Sequence, residues 1–193
     1  ILDPIYWALE LTAPTTILCE GPQPKKETFP RTERILYRFP GTARTAGRTI
    51  EVTWHDGGNL PDPAECDLPA DTKLPPNGCM FVGEQGVVVC PHGSGKLPRL
   101  YPEKTFQDLD FQVFPTIDHY GQWVEALKGG DTPTSSFDYA GPLCETVLLG
   151  CVASRLPGAS LTWDTRSLRF KNNSEADGLL HQEYRKGWEV EGI

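Results

Sequence analysis

The sequence predicts an α+β fold, built on a mostly antiparallel sheet, from three observations. Segments rich in β-branched and aromatic residues alternate apolar and polar positions through the first half of the chain. Helical spacing of apolar residues gathers in the second half. Runs of strands followed by runs of helices favour α+β over a doubly wound sheet.

The elements follow in order. Residues 3–11 read as a short helix in which Ile5, Ala8 and Leu9 share a face and Pro4 suits the first turn. Residues 15–20, 34–39 and 49–55 read as strands; Ile35, Tyr37 and Phe39 lie on one face of the second, and Ile50, Val52 and Trp54 on one face of the third. Residues 56–77, rich in Gly, Pro and Asp, read as a long surface excursion with neither strand nor helix. Residues 79–82 and 87–90 flank Gly83-Glu84-Gln85-Gly86, a hairpin signal that sets Cys79 opposite Cys90, either as a disulfide or as plain cross-strand neighbours. Ile117, Tyr120, Val124 and Leu127 recur at helical spacing, with Asp118 at the start and Gly129-Gly130 at the stop. Residues 142–156 are apolar nearly all round, which predicts a helix buried against the sheet and stopped by Pro157-Gly158, with Glu145 its one acid in need of a partner or water. A terminal strand pair at 161–163 and 168–170 precedes a last short helix opened by a Ser174–Asp177 capping box.

Bulk properties bound the function. A chain of 193 residues, 38% hydrophobic and 23% charged, suits one globular domain over residues 1–193. A formal net charge of -8 argues against nucleic acid and anionic membrane surfaces as partners, and leaves neutral or cationic ones open. No apolar stretch approaches the roughly eighteen residues of a membrane span, and no signal peptide stands at the start. The chain opens on Ile1 within an already apolar run, which reads as a cut inside a larger protein. The six cysteines form no C-x-x-C pair and join no paired histidines, so no metal site is expected and buried free thiols are.

Several groups could carry binding. Gly93-Ser94-Gly95-Lys96 fails as a phosphate loop: Cys90 stands where the first glycine belongs, Leu97 replaces the magnesium-holding hydroxyl and Pro98 opposes a helix. No G-x-G-x-x-G occurs, so the chain shows no dinucleotide site of its own. His92, Lys96, Arg99 and Tyr101 collect donors and cations that read either as sugar-hydroxyl contacts or as a solvated basic loop. His119, beside Tyr120, reads either as a helix-start or core residue or as an acid-base group. Trp54, Trp123, Trp163 and Trp188 read mostly as core, with a sugar-stacking plate as the other reading. Asn172-Asn173-Ser174 is a formal glycosylation sequon.

Three longer stretches resemble one family. They are Ile1-Leu2-Asp3-Pro4-Ile5-Tyr6-Trp7-Ala8-Leu9, Asp118-His119-Tyr120-Gly121-Gln122-Trp123-Val124-Glu125-Ala126-Leu127-Lys128-Gly129-Gly130, and Ser135-Ser136-Phe137-Asp138-Tyr139-Ala140-Gly141-Pro142-Leu143 running on to Pro157-Gly158. With the ending Glu183-Tyr184-Arg185-Lys186-Gly187-Trp188, the chain resembles the C-terminal α/β domain of the Gfo/Idh/MocA oxidoreductases, the relatives of glucose-fructose oxidoreductase and inositol dehydrogenase. The resemblance implies an open-faced, mostly antiparallel sheet with helices packed on one face, and a homo-oligomer formed through the open face. It implies an NAD- or NADP-dependent parent acting on a sugar, glycoside or cyclitol hydroxyl. The cofactor would sit in an N-terminal Rossmann domain absent from this chain.

In that family a D-x-G-x-H-x-x-D segment carries the catalytic histidine, and Asp3 matches its final aspartate. The histidine, and the family's lysine, would then lie ahead of Ile1, leaving no catalytic group here and no turnover by this chain alone. Asp3 is implied as a ligand to a substrate hydroxyl, with an N-cap for the first helix as the structural reading. The candidate sugar or polyol contacts are therefore Asp3, His92, Lys96, Arg99, His119 and Tyr120, with no bound cofactor or metal. A stand-alone carbohydrate-binding or scaffold module is the alternative, and a glycoside-cleaving enzyme using NAD transiently is a third. Neither the sugar, nor NAD against NADP, nor cytoplasm against periplasm is written in these residues.

Overall fold

The computed structural model describes residues 1–93, 96–110, 114–181 and 183–190. In chain order its elements are α1 (Asp3–Leu9), β1 (Thr16–Glu20), β2 (Arg34–Pro40), β3 (Thr49–His55), β4 (Gly78–Gly83), β5 (Gly86–Pro91), β6 (Arg99–Tyr101), α2 (His119–Leu127), α3 (Phe137–Arg155), β7 (Ser160–Asp164), β8 (Arg169–Phe170) and α4 (Ser174–Gly178). The chain is mixed α/β with antiparallel sheets and a few helices. One sheet has the order β3-β2-β1-β7-β8 and the other β4-β5-β6. Residue contacts divide the chain into two compact units, one of Ile1–Thr12, Thr42–Arg44 and Leu60–Glu145, the other of Ala13–Gly41, Thr45–Asn59 and Thr146–Ile193.

The second unit holds the five-stranded sheet. Period-2 alternation turns Ile35, Tyr37 and Phe39 of β2 to one face, where they are buried with Ile17 and Cys19 of β1 and Leu161 and Trp163 of β7. The part of α3 from Thr146 onward buries Leu149, Gly150, Val152 and Ala153. At Gly150 the approach is so close that a Cβ would collide with the Tyr37 hydroxyl. The opposite face is polar and carries cross-strand ion pairs, Arg34 with Glu20 and Arg38 with Glu51 at 3.3 Å. Exposed pairs of this kind contribute only about 0.2–1 kcal/mol each, so they favour the register more than they stabilise the fold.

Side chains tie down the remaining backbone of this unit. Asn172 accepts from the Thr162 N–H and donates to the Ser160 carbonyl, both at 2.8 Å, bracing the end of β7. Arg155, in the last turn of α3, donates to the carbonyls of Lys25 and Thr28 at 3.1 and 3.2 Å and lies 4.3 Å above the Phe29 ring.

In the first unit the hairpin β4-β5 carries a smaller core. Val87 and Val89 are buried with Leu68, and Cys66, Leu74, Met80 and Tyr101 pack around them. Gly86, at φ 151, closes the turn where a side chain would strike the Tyr101 carbonyl and the Phe106 ring. In this unit α1 packs against β4.

Several expectations need correction. The long helix starts at Phe137, five residues before Pro142, which sits inside it. It is not buried all round: Cys144, Val147, Leu148 and Cys151 are exposed, because the sheet covers one flank only. Residues 56–77 contain a 3-10 turn, Pro63–Cys66, capped by Asp62, whose carboxylate accepts from the Ala64 N–H at 2.9 Å. Arg99–Tyr101 is a strand, not loop, since Leu100 and Tyr101 find partners on β5. The cap of α4 is Asn173, which accepts from Ala176 N–H; Asp177 instead accepts from the Phe170 N–H. All six cysteines are free, but only Cys19 is buried. Of the four tryptophans read as mostly core, only Trp163 is buried, and Trp123 and Trp188 are largely exposed. The hairpin, its Cys79–Cys90 register, the terminal strand pair and Asp118 at the start of α2 stand as expected, and Asp118 there also caps the helix, accepting from the Gly121 N–H.

The Gly150 approach yields a test by thermal or denaturant unfolding. Gly150→Ala is expected to destabilise the chain by about 1–3 kcal/mol through overpacking. Tyr37→Phe, which removes the obstructing oxygen, is expected to recover part of that loss in the double variant.

Candidate functional site

The best-formed constellation lies on α1 and the first turn of α3, all within the first unit. Asp3, Tyr6 and Trp7 stand at positions i, i+3 and i+4, which places them along one side of α1, and Glu10 follows directly at its C-cap. Asp3 is not the cap of α1: Leu2 occupies that position and no side chain caps the helix. The Asp3 carboxylate points to a different partner. Its Oδ1 accepts a hydrogen bond from the Tyr139 hydroxyl at 2.6 Å.

An aromatic cluster fixes this pair. Tyr6 is buried and its hydroxyl donates to the Thr12 carbonyl at 2.7 Å, which locks its ring. Tyr139 meets Tyr6 and Trp7 edge to face, with ring centres 6.1 and 5.4 Å away. Trp7 is 61% exposed, so much of the indole faces solvent. A cleft of about 430 Å³ opens here, lined by Tyr6, Trp7, Glu10, Leu11 and Tyr139. Glu10, held in the left-handed region at φ 52, pairs with Arg44 at 3.1 Å. Burial, then the hydrogen bond to Asp3, pushes the Tyr139 phenol well above the usual tyrosine range, so it stays a proton donor at neutral pH.

Chemically, the cleft offers an apolar plate and the Arg44-paired Glu10 carboxylate. Asp3 does not line it, but is joined to it through Tyr139 and keeps lone pairs for further donors. That suits a neutral ligand with hydroxyls on one side and C–H groups on the other. Among the described residues, no group of three or more His, Cys, Asp or Glu could hold a metal ion. Among the same residues, no helix is long and apolar enough to cross a membrane.

The other sequence candidates are not gathered around Asp3. His92, Lys96 and Arg99 are exposed, and no hydrogen bond or ion pair joins them to one another among the described residues. Ser94 and Gly95 of the glycine-rich loop lie outside the described residues. His119 and Tyr120 open α2 with their rings edge to face at 5.5 Å, both exposed and making no bond to Asp3. A second hollow of about 490 Å³ beside α2 is lined by Asp118, Gln122, Glu125 and Asp131 among others, but not by His119 or Tyr120. Sequence reasoning missed Trp7 and Tyr139 as site residues. The signal for Trp7 was present in its i, i+4 spacing from Asp3, whereas nothing local ties Tyr139 to a residue 136 positions away.

No protein-family model and no curated protein matches the chain.

The raised phenols give a pH prediction. Burial holds the Tyr37 phenol up as well. Below a pH of about 10 both states of the chain keep these tyrosines neutral, and no stability depends on them. Above it the unfolded chain releases protons that the folded chain retains, so stability is expected to fall as pH rises. Alkaline titration of phenolate absorbance, together with unfolding at each pH, checks this. Tyr139→Phe should remove one late-titrating phenol and shallow the fall.

Proposed function

We propose that this chain is the substrate-binding and assembly part of an NAD- or NADP-dependent oxidoreductase acting on a hydroxyl of a sugar, glycoside or cyclitol. The observation that carries the reading is Tyr139, whose hydroxyl donates to the Asp3 carboxylate while its ring meets the exposed Trp7 indole edge to face. A polyol that stacks a C–H face on Trp7 would bring a hydroxyl within reach of Asp3. Held there, its reacting carbon would be presented to a nicotinamide ring supplied by a nucleotide-binding domain ahead of Ile1, where the expected histidine and lysine would take the hydroxyl proton.

The finer fold assignment belongs to the same reading: an open-faced sheet with helices on one side, as in the C-terminal domain of the Gfo/Idh/MocA oxidoreductases. The polar face of β1, β2 and β3 supports it. There Leu18 and Leu36 stand opposite each other, half-buried between the Arg34–Glu20 and Arg38–Glu51 pairs, a surface suited to a second copy.

Calorimetric titration of sugars and inositols into the chain tests the binding half. Millimolar binding to one class is expected, weakened about 2–10-fold by Trp7→Ala and similarly by Asp3→Asn. The redox half is read from nicotinamide reduction by protein that includes the upstream segment. Binding that ignores both substitutions would refute the site. Ligand binding without turnover by that longer protein would favour a stand-alone carbohydrate-binding module.

A further inference from the structure

Two thiols outside this cleft are arranged for a reaction with each other. Cys79 on β4 and Cys90 on β5 are direct partners in the antiparallel register. The two-residue turn Glu84-Gln85 makes Gly83 and Gly86 the closing hydrogen-bonded pair of the hairpin. Hydrogen-bonded and non-hydrogen-bonded pairs alternate from there, which assigns Phe81 with Val88 and then Cys79 with Cys90 to the hydrogen-bonded class. The His92 N–H bound to the Asn77 carbonyl at 2.9 Å continues the same alternation beyond them. Such partners have Cα atoms about 5.5 Å apart, inside the range of about 4.4–6.8 Å that a disulfide spans.

Their surroundings leave them available. Alternation puts Cys79 and Cys90 on the face of the hairpin opposite Met80, Val87 and Val89, so they are not part of the small core. Both are half-exposed. The proximity of the Cys79 thiol holds Cys90 down at about 7, while the neighbouring Cys90 and burial push Cys79 up. A thiol poised near neutral pH is partly thiolate and a ready nucleophile. No other cysteine has a thiol partner among the described residues; Cys19 donates to buried Glu33 at 3.4 Å and, pushed up by burial to about 12, stays protonated.

We propose that Cys79 and Cys90 form a dithiol site that a low-molecular-weight disulfide, such as oxidised glutathione, converts reversibly to a cross-strand disulfide. The Cys90 thiolate attacks one sulfur of the oxidant, forming a mixed disulfide and releasing one glutathione thiolate. That thiolate takes up the proton Cys90 gave up. Cys79 then loses its proton, attacks the Cys90 sulfur and expels the second glutathione as a thiol. Two protein thiols are oxidised and one small disulfide is reduced to two thiols. Closing the bond draws the two Cβ atoms roughly 1 Å nearer than ordinary ladder spacing, which favours a bond that reopens under a dithiol reductant.

Peptide mapping after incubation in glutathione buffers of stepped ratio, with alkylation of the remaining thiols, tests the site. The expected product is lighter by two hydrogens, links the Cys79 and Cys90 peptides, leaves four of the six cysteines alkylated and reverts with dithiothreitol. Cys79→Ser is expected to trap the Cys90–glutathione adduct, since the resolving thiol is gone. The proposal is overturned if the wild-type chain keeps both thiols alkylatable in the most oxidising buffer, or if its link joins other cysteines. The deciding measurement is made on the unaltered chain, so misfolding of the variant would leave that outcome standing.

Discussion

β1 has five residues and no free edge: β2 pairs along one side of it and β7 along the other. Its register with both neighbours is fixed because Ile17 and Cys19 are wholly buried, and a shift of one residue would turn them to the polar face while bringing Thr16, Leu18 and Glu20 inward. The strands before it in space come from the first third of the chain and those after it from the last fifth, so β1 is where the two ends of the second unit are made to agree. The Gly150 approach, the Arg155 clamp and the Asn172 brace all rest on that agreement. Each needs β2, α3 or β7 to arrive at a position that only this pairing sets.

The cleft on α1 depends on a different economy. A seven-residue helix has little stability of its own, and α1 lacks a side-chain cap at its start. What holds it is tertiary: Tyr6 buried and bonded to Thr12, Asp3 bonded to Tyr139, Thr42 donating to the Leu9 carbonyl at 2.6 Å. The carboxylate is thus oriented by a phenol from another helix, and the phenol is kept protonated by its burial and by that carboxylate.

Much of the architecture was legible because it is local. Alternation in Ile35, Tyr37 and Phe39, the glycines around Glu84-Gln85 and the Asp118 start of α2 each speak through spacing of a few residues. The failures share a physical cause. Pro142 reads as a boundary, yet it sits inside α3 near its start, where Gly141, lacking a Cβ, removes the clash with the preceding residue and the rest of the proline cost is met by the long helix that follows. Trp123 and Leu148 are apolar by type, but burial depends on which flank a neighbouring element covers, and composition does not encode that. Asp3 was legible as a site residue only through family likeness; its bond to Tyr139 joins distant segments and has no signature in either one.

The Arg155 guanidinium has one further consequence. Residues 21–32 are rich in Pro and basic residues and would look, on composition, like a strand connection open to trypsin at Lys25 and Lys26. Yet the carbonyls of Lys25 and Thr28 are held from the end of α3, and Phe29 lies under the same cation. Cleavage there requires the guanidinium to let go, so the rate of nicking at these lysines measures how often the end of that helix loosens rather than how mobile the connection is by itself.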